Sequence, residues 1–211
     1  FDGTLVFWHL EAKQSGMVAR FLPSYLQSLE KLFCAKQLYA GYISLPKSRE
    51  LVNVMKVALD AGWVSDDISV SITDKTLVHS VDALIASFFL REGERTVCFK
   101  SNAAIVSLYP THLQPYFFYM ATAHEIVRIE IPAWIATDVQ EARLDRVAQL
   151  IFDQIQKGKG YPVVLAEAHE QAVIQQADRD FFYRMVADYS AQKNQGIVGS
   201  QKQHKKKYKT V

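Results

Sequence analysis

Cysteine is scarce in this sequence, and long apolar runs are missing. Cys34 and Cys98 are the only cysteines in 211 residues, which excludes a disulfide framework and a four-cysteine zinc module. No apolar run approaches the about 20 residues that a membrane-spanning helix needs. No basic leader followed by an apolar segment opens the chain. We therefore expect a cytoplasmic protein whose two cysteines, in apolar sequence surroundings, are reduced and inert core thiols.

Several motifs of large enzyme classes are also absent. The sequence contains no GxxxxGK[ST] or GxGxxG phosphate loop, no HExxH zinc helix and no GxSxG nucleophile elbow. These absences disfavour P-loop, dinucleotide-binding, zincin and serine-hydrolase chemistry. Any catalysis has to depend on other residues.

The composition is that of a folded α/β protein. Apolar residues make up 49% of the chain and charged residues 22%, which is enough to bury a core. Strand-like segments alternate with helical periodicity, and the last third is helical. The predicted strands are 4–10, 38–44, 94–100, 116–121 and 125–131; the predicted helices are 21–37, 48–62, 75–89, 138–157, 162–175 and 178–192.

Local signals refine three of these elements. Pro23 fits the first turn of the helix predicted over 21–37, and Ser48 fits the N-cap of the next helix. Gly41 permits close backbone approach in the strand 38–44. In the strand 125–131, apolar residues alternate with Arg128 and Glu130, which predicts one polar face.

Lysine is concentrated at the C-terminal end. Net charge is +2, but residues 193–211 hold six lysines and no acid, so the rest of the chain is acidic. This composition predicts one domain over 1–192 and a disordered basic tail over 193–211. The tail is either a solubilising end or a non-specific contact for phosphates.

A carboxylate stands near the start of the chain, in Asp2-Gly3-Thr4, beside a strand-like segment. Asp-Gly is a common turn pair, so Asp2 is either a turn residue or a metal ligand displayed from a rigid sheet. The two interpretations remain open at this point. Because the chain opens at Phe1 on what the pattern predicts to be a strand, we expect further sequence upstream.

The stretch Gly160 to His169 is the most informative one. Pro162 is placed as the first residue of a helix, on which Leu165 and Val173 lie one turn either side of His169. This spacing predicts that His169 faces inward, either as a core residue bonded to a carbonyl or as an imidazole aimed at a metal or phosphate. Tyr161 is either a packing residue or a hydroxyl that orients a water or a phosphate oxygen.

Basic residues are candidates for contacting nucleic acid. Arg91 and Arg95 flank the predicted charged turn Arg91-Glu92-Gly93-Glu94-Arg95, and they either contact phosphates or pair with the two glutamates. Lys100 follows at the end of the next predicted strand. We take Arg91, Arg95 and Lys100 as the candidate nucleic-acid-binding residues.

Three stretches together resemble the NurA nuclease family: residues 1–5 (FDGTL), 40–46 (AGYISLP) and 160–169 (GYPVVLAEAH). Residues 93–96 (GERT) and 128–134 (RIEIPAW) resemble its connecting sequence. The resemblance runs in order over roughly the first 175 residues, and the segment 160–169 is its most specific part.

The resemblance implies an α/β fold with an RNase H-like mixed central sheet flanked by helices. It implies a DNA nuclease that uses Mn²⁺ or Mg²⁺, acts at DNA ends as a 5′ to 3′ exonuclease in double-strand break repair, and works as a homodimer with a HerA-type hexameric ATPase. Asp2, Tyr161 and His169 match catalytic positions, with Asp2 and His169 as metal ligands. The family also uses an earlier aspartate and a helix glutamate, so we expect this chain to be the C-terminal portion. The alternative is a non-catalytic scaffold that docks an ATPase ring or DNA.

Overall fold

The computed structural model describes residues 1–8, 15–61, 80–139, 142–173 and 176–192. The chain divides into two units, Phe1–Ala166 and Glu167–Val211. The predictions for residues 9–10 and 75–79 and for the basic tail 193–211 lie outside the described residues. Within the described ranges, no helix is both long enough and apolar enough to cross a membrane.

Helices and strands alternate along the first unit, which confirms the α/β class. Its strands are β1 (Gly41–Ile43), β2 (Phe99–Lys100), β3 (Pro115–Ala121) and β4 (Ile126–Pro132). Its helices are α1 (Ser15–Cys34), α2 (Glu50–Asp60), α3 (Asp82–Ser87), α4 (Ala133–Ala136) and α5 (Ala142–Lys157), with 3₁₀ turns at Ala104–Leu108 and Thr111–Leu113. Helix α6 (Val163–Ala172) begins in the first unit and ends in the second, which also contains α7 (Gln176–Gln192).

The strands form a four-stranded antiparallel sheet in the order β1-β4-β3-β2. A tight turn joins β3 to β4, with the Thr122 amide donating to the Glu125 carbonyl at 2.9 Å, so these two strands form a hairpin. The sheet is therefore antiparallel where a mixed sheet was expected. Among the described residues, the parallel pairing is an isolated bridge between Asp2 and Tyr42.

One face of the sheet carries the main hydrophobic core. Phe118 of β3 and Ile129 of β4 are paired in register and fully buried. They belong to one cluster with Leu29 of α1 and with Val147 and Ile155 of α5. Helices α1 and α5 therefore cover this face, because each presents an apolar stripe to it.

The opposite face of β4 is polar in sequence but buried. Arg128 is 2% exposed and Glu130 is 0% exposed. The Arg128 Nε donates to Glu130 at 2.9 Å, and its Nη1 donates to Glu50 of α2 at 2.6 Å. The guanidinium also lies 3.7 Å from the centre of the Phe117 ring. The predicted alternation is right, but the polar face is buried. Arg128 and Glu130 lie in an enclosed ion network, to which Glu50 of α2 contributes a second carboxylate.

The predicted strand 4–10 is wrong over its described part. None of residues 4–8 is in a strand: the chain bends at Leu5 and Val6, and both side chains are buried. The Leu5 amide donates to the Glu130 carboxylate at 2.7 Å, and the Leu5 carbonyl accepts the hydroxyls of Tyr25 (3.1 Å) and Tyr109 (3.0 Å). Because side chains satisfy both backbone polar groups of Leu5, this residue needs no neighbouring strand.

Other elements differ from the predictions at their ends. Helix α1 begins at Ser15, so Pro23 lies inside it instead of in its first turn; Val18 packs against a second cluster around Val6, which extends the helix. The strand predicted over 94–100 is reduced to β2 and an isolated bridge at Arg95, because the Thr96 hydroxyl receives the Tyr119 amide and interrupts the ladder.

Two side-chain predictions also differ. The Ser48 hydroxyl hydrogen bonds to the Tyr119 hydroxyl at 2.7 Å, so it does not serve as the expected N-cap. Cys34 is exposed and Cys98 is half-buried, so the expectation of a core thiol is wrong for Cys34.

Replacing Arg128 should destabilise the protein strongly. In Arg128→Met the carboxylates of Glu130 and Glu50 lose their shared cation, and we expect the free energy of unfolding in urea to fall by about 3–5 kcal/mol. The control is Arg143→Met, because Arg143 is 48% exposed and lies 3.8 Å from its partner Asp138. That change should stay within about 1 kcal/mol. Equal losses in the two variants would contradict a structural role for the buried network.

Buried tyrosines should make the fold sensitive to alkali. Burial raises the pKa of Tyr109 to about 12, from the ordinary value of 10.0. The unfolded chain releases this proton first, so stability that is complete below pH 10 is lost as the pH rises toward about 12. The other buried tyrosines add to the total slope, so the contribution of Tyr109 is the difference between the parent and Tyr109→Phe in urea titrations across this window, at most about 1.4 kcal/mol per pH unit. Tyr109→Phe should lose stability less steeply with pH than the parent; an unchanged slope would refute the assignment.

Candidate functional site

Asp2 lies at the edge of the sheet, beside β1. The Gly3 amide donates to the Tyr42 carbonyl at 2.9 Å, and the Tyr42 amide donates to the Phe1 carbonyl at 3.0 Å. These two bonds form the parallel bridge and leave the Asp2 side chain exposed. The chain then turns at Gly3, whose φ is +107°. Asp2 is therefore both a residue at a turn and a carboxylate displayed from the sheet edge.

Gly41 makes this close approach possible. A Cβ at Gly41 would lie 2.5 Å from the Gly3 carbonyl oxygen, closer than real Cβ atoms come to backbone. The prediction that Gly41 permits close backbone approach is thus confirmed. Position 41 of β1, which faces Gly3 and Leu5, has room only for glycine.

Tyr161 reaches Asp2 from the loop between α5 and α6. A Cβ at Gly158 would lie 1.8 Å from the Tyr161 carbonyl oxygen, and Gly160 has a φ of +116°. This tight loop places the Tyr161 hydroxyl 3.4 Å from Asp2 Oδ1, to which it donates. The Tyr161 ring packs edge-to-face on Tyr42, with 5.4 Å between ring centres. The fold therefore brings together two predicted site residues that are 159 positions apart.

The surroundings of Tyr161 keep its hydroxyl protonated. Burial raises the pKa of Tyr161, and the negative charges of Asp2 and Glu125 raise it further. The shift favours the neutral phenol. At neutral pH Tyr161 is therefore a hydrogen-bond donor and not a base.

Glu125 is a charged neighbour that the sequence analysis did not single out. Its carboxylate accepts the Ser44 hydroxyl at 2.7 Å and the Leu45 amide at 2.8 Å, and its charge acts on both Tyr42 and Tyr161. The sequence pattern assigned Glu125 to the start of the strand 125–131, whereas the structure places it in the turn before β4. Nothing in the sequence pattern joins it to Tyr161.

His169 lies on the exposed side of α6. Its side chain is exposed, and no described residue of that helix is buried. The interpretation of His169 as a core residue is wrong, because Val173, which was expected to enclose it, is itself exposed. His169 belongs to the second unit, whereas Asp2 and Tyr161 belong to the first. Its convergence with Asp2 on one ion remains a prediction.

The ligand set for a metal is incomplete in the described part of the chain. There, no group of three or more His, Cys, Asp or Glu residues gathers closely enough to hold an ion. Asp2 supplies an exposed carboxylate, and hard cations such as Mn²⁺ and Mg²⁺ prefer such oxygen ligands. The chemistry of Asp2 fits such an ion, but one carboxylate gives weak binding.

The candidate nucleic-acid-binding residues lie on and beside a charged turn. Arg91 and Lys100 are exposed, and the turn at Gly93 has a φ of +82°. The Arg95 guanidinium forms an ion pair with Asp145 of α5 at 2.6 Å, so it does not depend on the neighbouring glutamates. Glu94 instead accepts the backbone amide of Arg91 at 2.7 Å.

Comparison with known proteins identifies the family. The family model described as the NurA domain matches residues 1–174, a range that contains Asp2, Tyr161 and His169. No curated protein and no solved structure gives a significant match. The match covers most of the chain and agrees with the three sequence stretches that resemble this family. The chain belongs to the NurA family, and this membership assigns it a nuclease-type role in DNA repair.

Proposed function

We propose that this protein is a divalent-metal-dependent deoxyribonuclease that hydrolyses phosphodiester bonds at DNA ends. The proposed polarity is 5′ to 3′, and the proposed setting is double-strand break repair in the cytoplasm. The observation that supports the proposal best is the contact between Tyr161 and Asp2, which joins two residues predicted to be catalytic. The proposed fold class is RNase H-like, supported by a sheet flanked by helices with an acidic residue displayed at its edge.

Asp2 and His169 are the proposed ligands of Mn²⁺ or Mg²⁺. When bound, such an ion would stabilise the charge on the attacking and leaving oxygens of the phosphodiester. Asp2 suits this role because the sheet edge holds its backbone while its carboxylate stays exposed. His169 suits it because the imidazole is exposed and offers a nitrogen ligand.

Tyr161 is proposed to orient the scissile phosphate. Its hydroxyl is protonated at neutral pH and points at Asp2, so it can donate to a phosphate oxygen held beside that carboxylate. The edge-to-face contact with Tyr42 and the tight loop at Gly158 and Gly160 limit its movement. A positioned donor of this kind contributes more in the transition state than in the ground state.

The proposed partners are DNA, a HerA-type hexameric ATPase and a second copy of this chain. Family membership is the support for all three. For DNA there is a further argument, because exposed Arg91 and Lys100 can contact phosphates without reading bases.

A second candidate function is a non-catalytic scaffold that docks an ATPase ring or DNA. It is favoured by the single carboxylate at Asp2, since the described residues gather no set of three ligands around it. The two functions make opposite predictions for cleavage of bound DNA.

Three substitutions test the catalytic assignment. Asp2→Asn and His169→Ala should each lower cleavage of linear end-labelled DNA in Mn²⁺ or Mg²⁺ by about 100-fold or more, because each removes a metal ligand. Tyr161→Phe should lower it by about 10-fold to 100-fold, because only a donor is lost. The assay is the initial rate of release of labelled nucleotides.

Matched controls lie outside the site. Asp153→Asn removes a carboxylate paired with Lys157, and Glu170→Gln removes a charge from the same helix as His169. Both should cleave at the parent rate. Parent-like cleavage by all three site variants would refute the residue roles, and DNA binding without cleavage in either metal would favour the scaffold.

Arg91 and Lys100 should contribute to DNA affinity through phosphate contacts. Arg91→Ala and Lys100→Ala should each weaken binding for every sequence tested and lower the slope of log affinity against log salt by about 1. Arg95→Ala should have a smaller effect, because Asp145 already pairs with that guanidinium. Fluorescence anisotropy over a salt series measures the slopes, with Lys157→Ala as control. Unchanged slopes for Arg91→Ala and Lys100→Ala would show that neither residue contacts DNA phosphates.

A further inference from the structure

Thr4 and Leu5, which follow Asp2 after one glycine, are hydrogen bonded to a buried carboxylate. Glu130 Oε2 accepts the Thr4 hydroxyl and the Leu5 amide, both at 2.7 Å. The other oxygen, Oε1, accepts the Arg128 Nε at 2.9 Å. Glu130 is 0% exposed, so the carboxylate has to be satisfied by these donors.

A charged acceptor is the right group for this position. One oxygen that receives two donors at 2.7 Å forms charge-assisted bonds, which are shorter and stronger than neutral ones. Arg128 fixes the other oxygen and prevents the carboxylate from rotating. Since Tyr25 and Tyr109 hold the Leu5 carbonyl, both backbone polar groups of Leu5 are fixed.

Asp2 therefore lies between two fixed points of backbone. Before and after it, Phe1 and Gly3 hydrogen bond to Tyr42; beyond the turn, Thr4 and Leu5 are bound to Glu130. Gly3 has no Cβ to restrict the chain between these points, and it adopts a φ of +107°. The Asp2 carboxylate itself is exposed; among the described residues it accepts a long hydrogen bond of 3.4 Å from the Tyr161 hydroxyl and interacts electrostatically with the Phe1 amino group. The place of that carboxylate depends on its backbone more than on its own contacts.

We infer that Glu130, acting through Thr4 and Leu5, is the positioning residue that holds Asp2 in its place beside Tyr161. The inference deepens the proposed nuclease function and rests on it for its catalytic consequence. Glu130 does not touch the phosphate. Through its bonds to Thr4 and Leu5, Glu130 of β4 fixes the backbone that carries the Asp2 carboxylate at the sheet edge.

Kinetics of the full chain test the catalytic consequence. Thr4→Val removes the hydroxyl at nearly constant volume, and Glu130→Gln removes the charge. Each should lower kcat for linear DNA in Mn²⁺ by about tenfold or more with KM changed by less than about twofold, because a displaced catalytic group affects the reaction more than binding. Thr4→Ser keeps the hydroxyl, so its kcat should be close to that of the parent.

Glu50→Gln is the matched control. Glu50 binds the same guanidinium as Glu130, at 2.6 Å, but its other bonds go to Ser101 and Asn102 and not to the segment after Asp2. It should disturb the buried network and leave kcat near the parent value. Equal losses of kcat in Glu50→Gln and Glu130→Gln, or a parent-like kcat in Thr4→Val, would overturn the inference.

Amide hydrogen exchange tests the positioning without any cleavage. The Gly3 amide, bonded to Tyr42, should exchange about tenfold faster or more in Thr4→Val and Glu130→Gln, but not in Thr4→Ser or Glu50→Gln. If the parent chain does not cut DNA while this exchange pattern is found, the nuclease proposal fails and the positioning role stands. If exchange at Gly3 is the same in all variants, the positioning role fails whatever the activity.

Discussion

The carboxylate of Glu130 links three parts of the first unit that are far apart in sequence. It joins the segment of Leu5 to β4 directly, and through Arg128 it joins both to Glu50 of α2. A charge in the interior is costly unless ion pairs and hydrogen bonds compensate it, and here both carboxylate oxygens are engaged. The side chains of this network therefore have few alternative conformations. Because Thr4 and Leu5 are bonded to it, the backbone at the sheet edge that carries Asp2 is also held in place.

The contact between Asp2 and Tyr161 depends on backbone that glycine alone allows. Gly41 admits the Gly3 carbonyl, and Gly158 admits the carbonyl of Tyr161, in positions where a Cβ would collide with it. The hydroxyl that reaches Asp2 stays protonated because it is partly buried near two carboxylates. A neutral donor beside an exposed acid is chemically suited to a phosphodiester held by a metal, which is why this pair supports the proposed activity more than any other feature.

Much of the fold was predictable where local pattern and tertiary structure agree. The strands β3 and β4 and the helix α5 were predicted close to their observed bounds, and the residues that set the alternation of β4 and the periodicity of α5 also face the core. The strand expected around Leu5 failed for a tertiary reason. The backbone amide and carbonyl of Leu5 are satisfied by Glu130, Tyr25 and Tyr109, whose approach no local pattern reveals. The early start of α1 has the same kind of cause, since Val18 packs on a remote cluster.

The sequence by itself determined the α/β class, the family, the placement of Gly41 against neighbouring backbone and the choice of Asp2, Tyr161 and His169 as site candidates. Composition, periodicity and ordered motifs carry that information along the chain. Only the tertiary structure decided that Arg128 and Glu130 are enclosed, that Glu125 lies near Tyr161, and that Tyr161 meets Asp2. Those facts arise from contacts between segments that are distant in sequence, and the burial and charge that decide them exist only once the chain is folded.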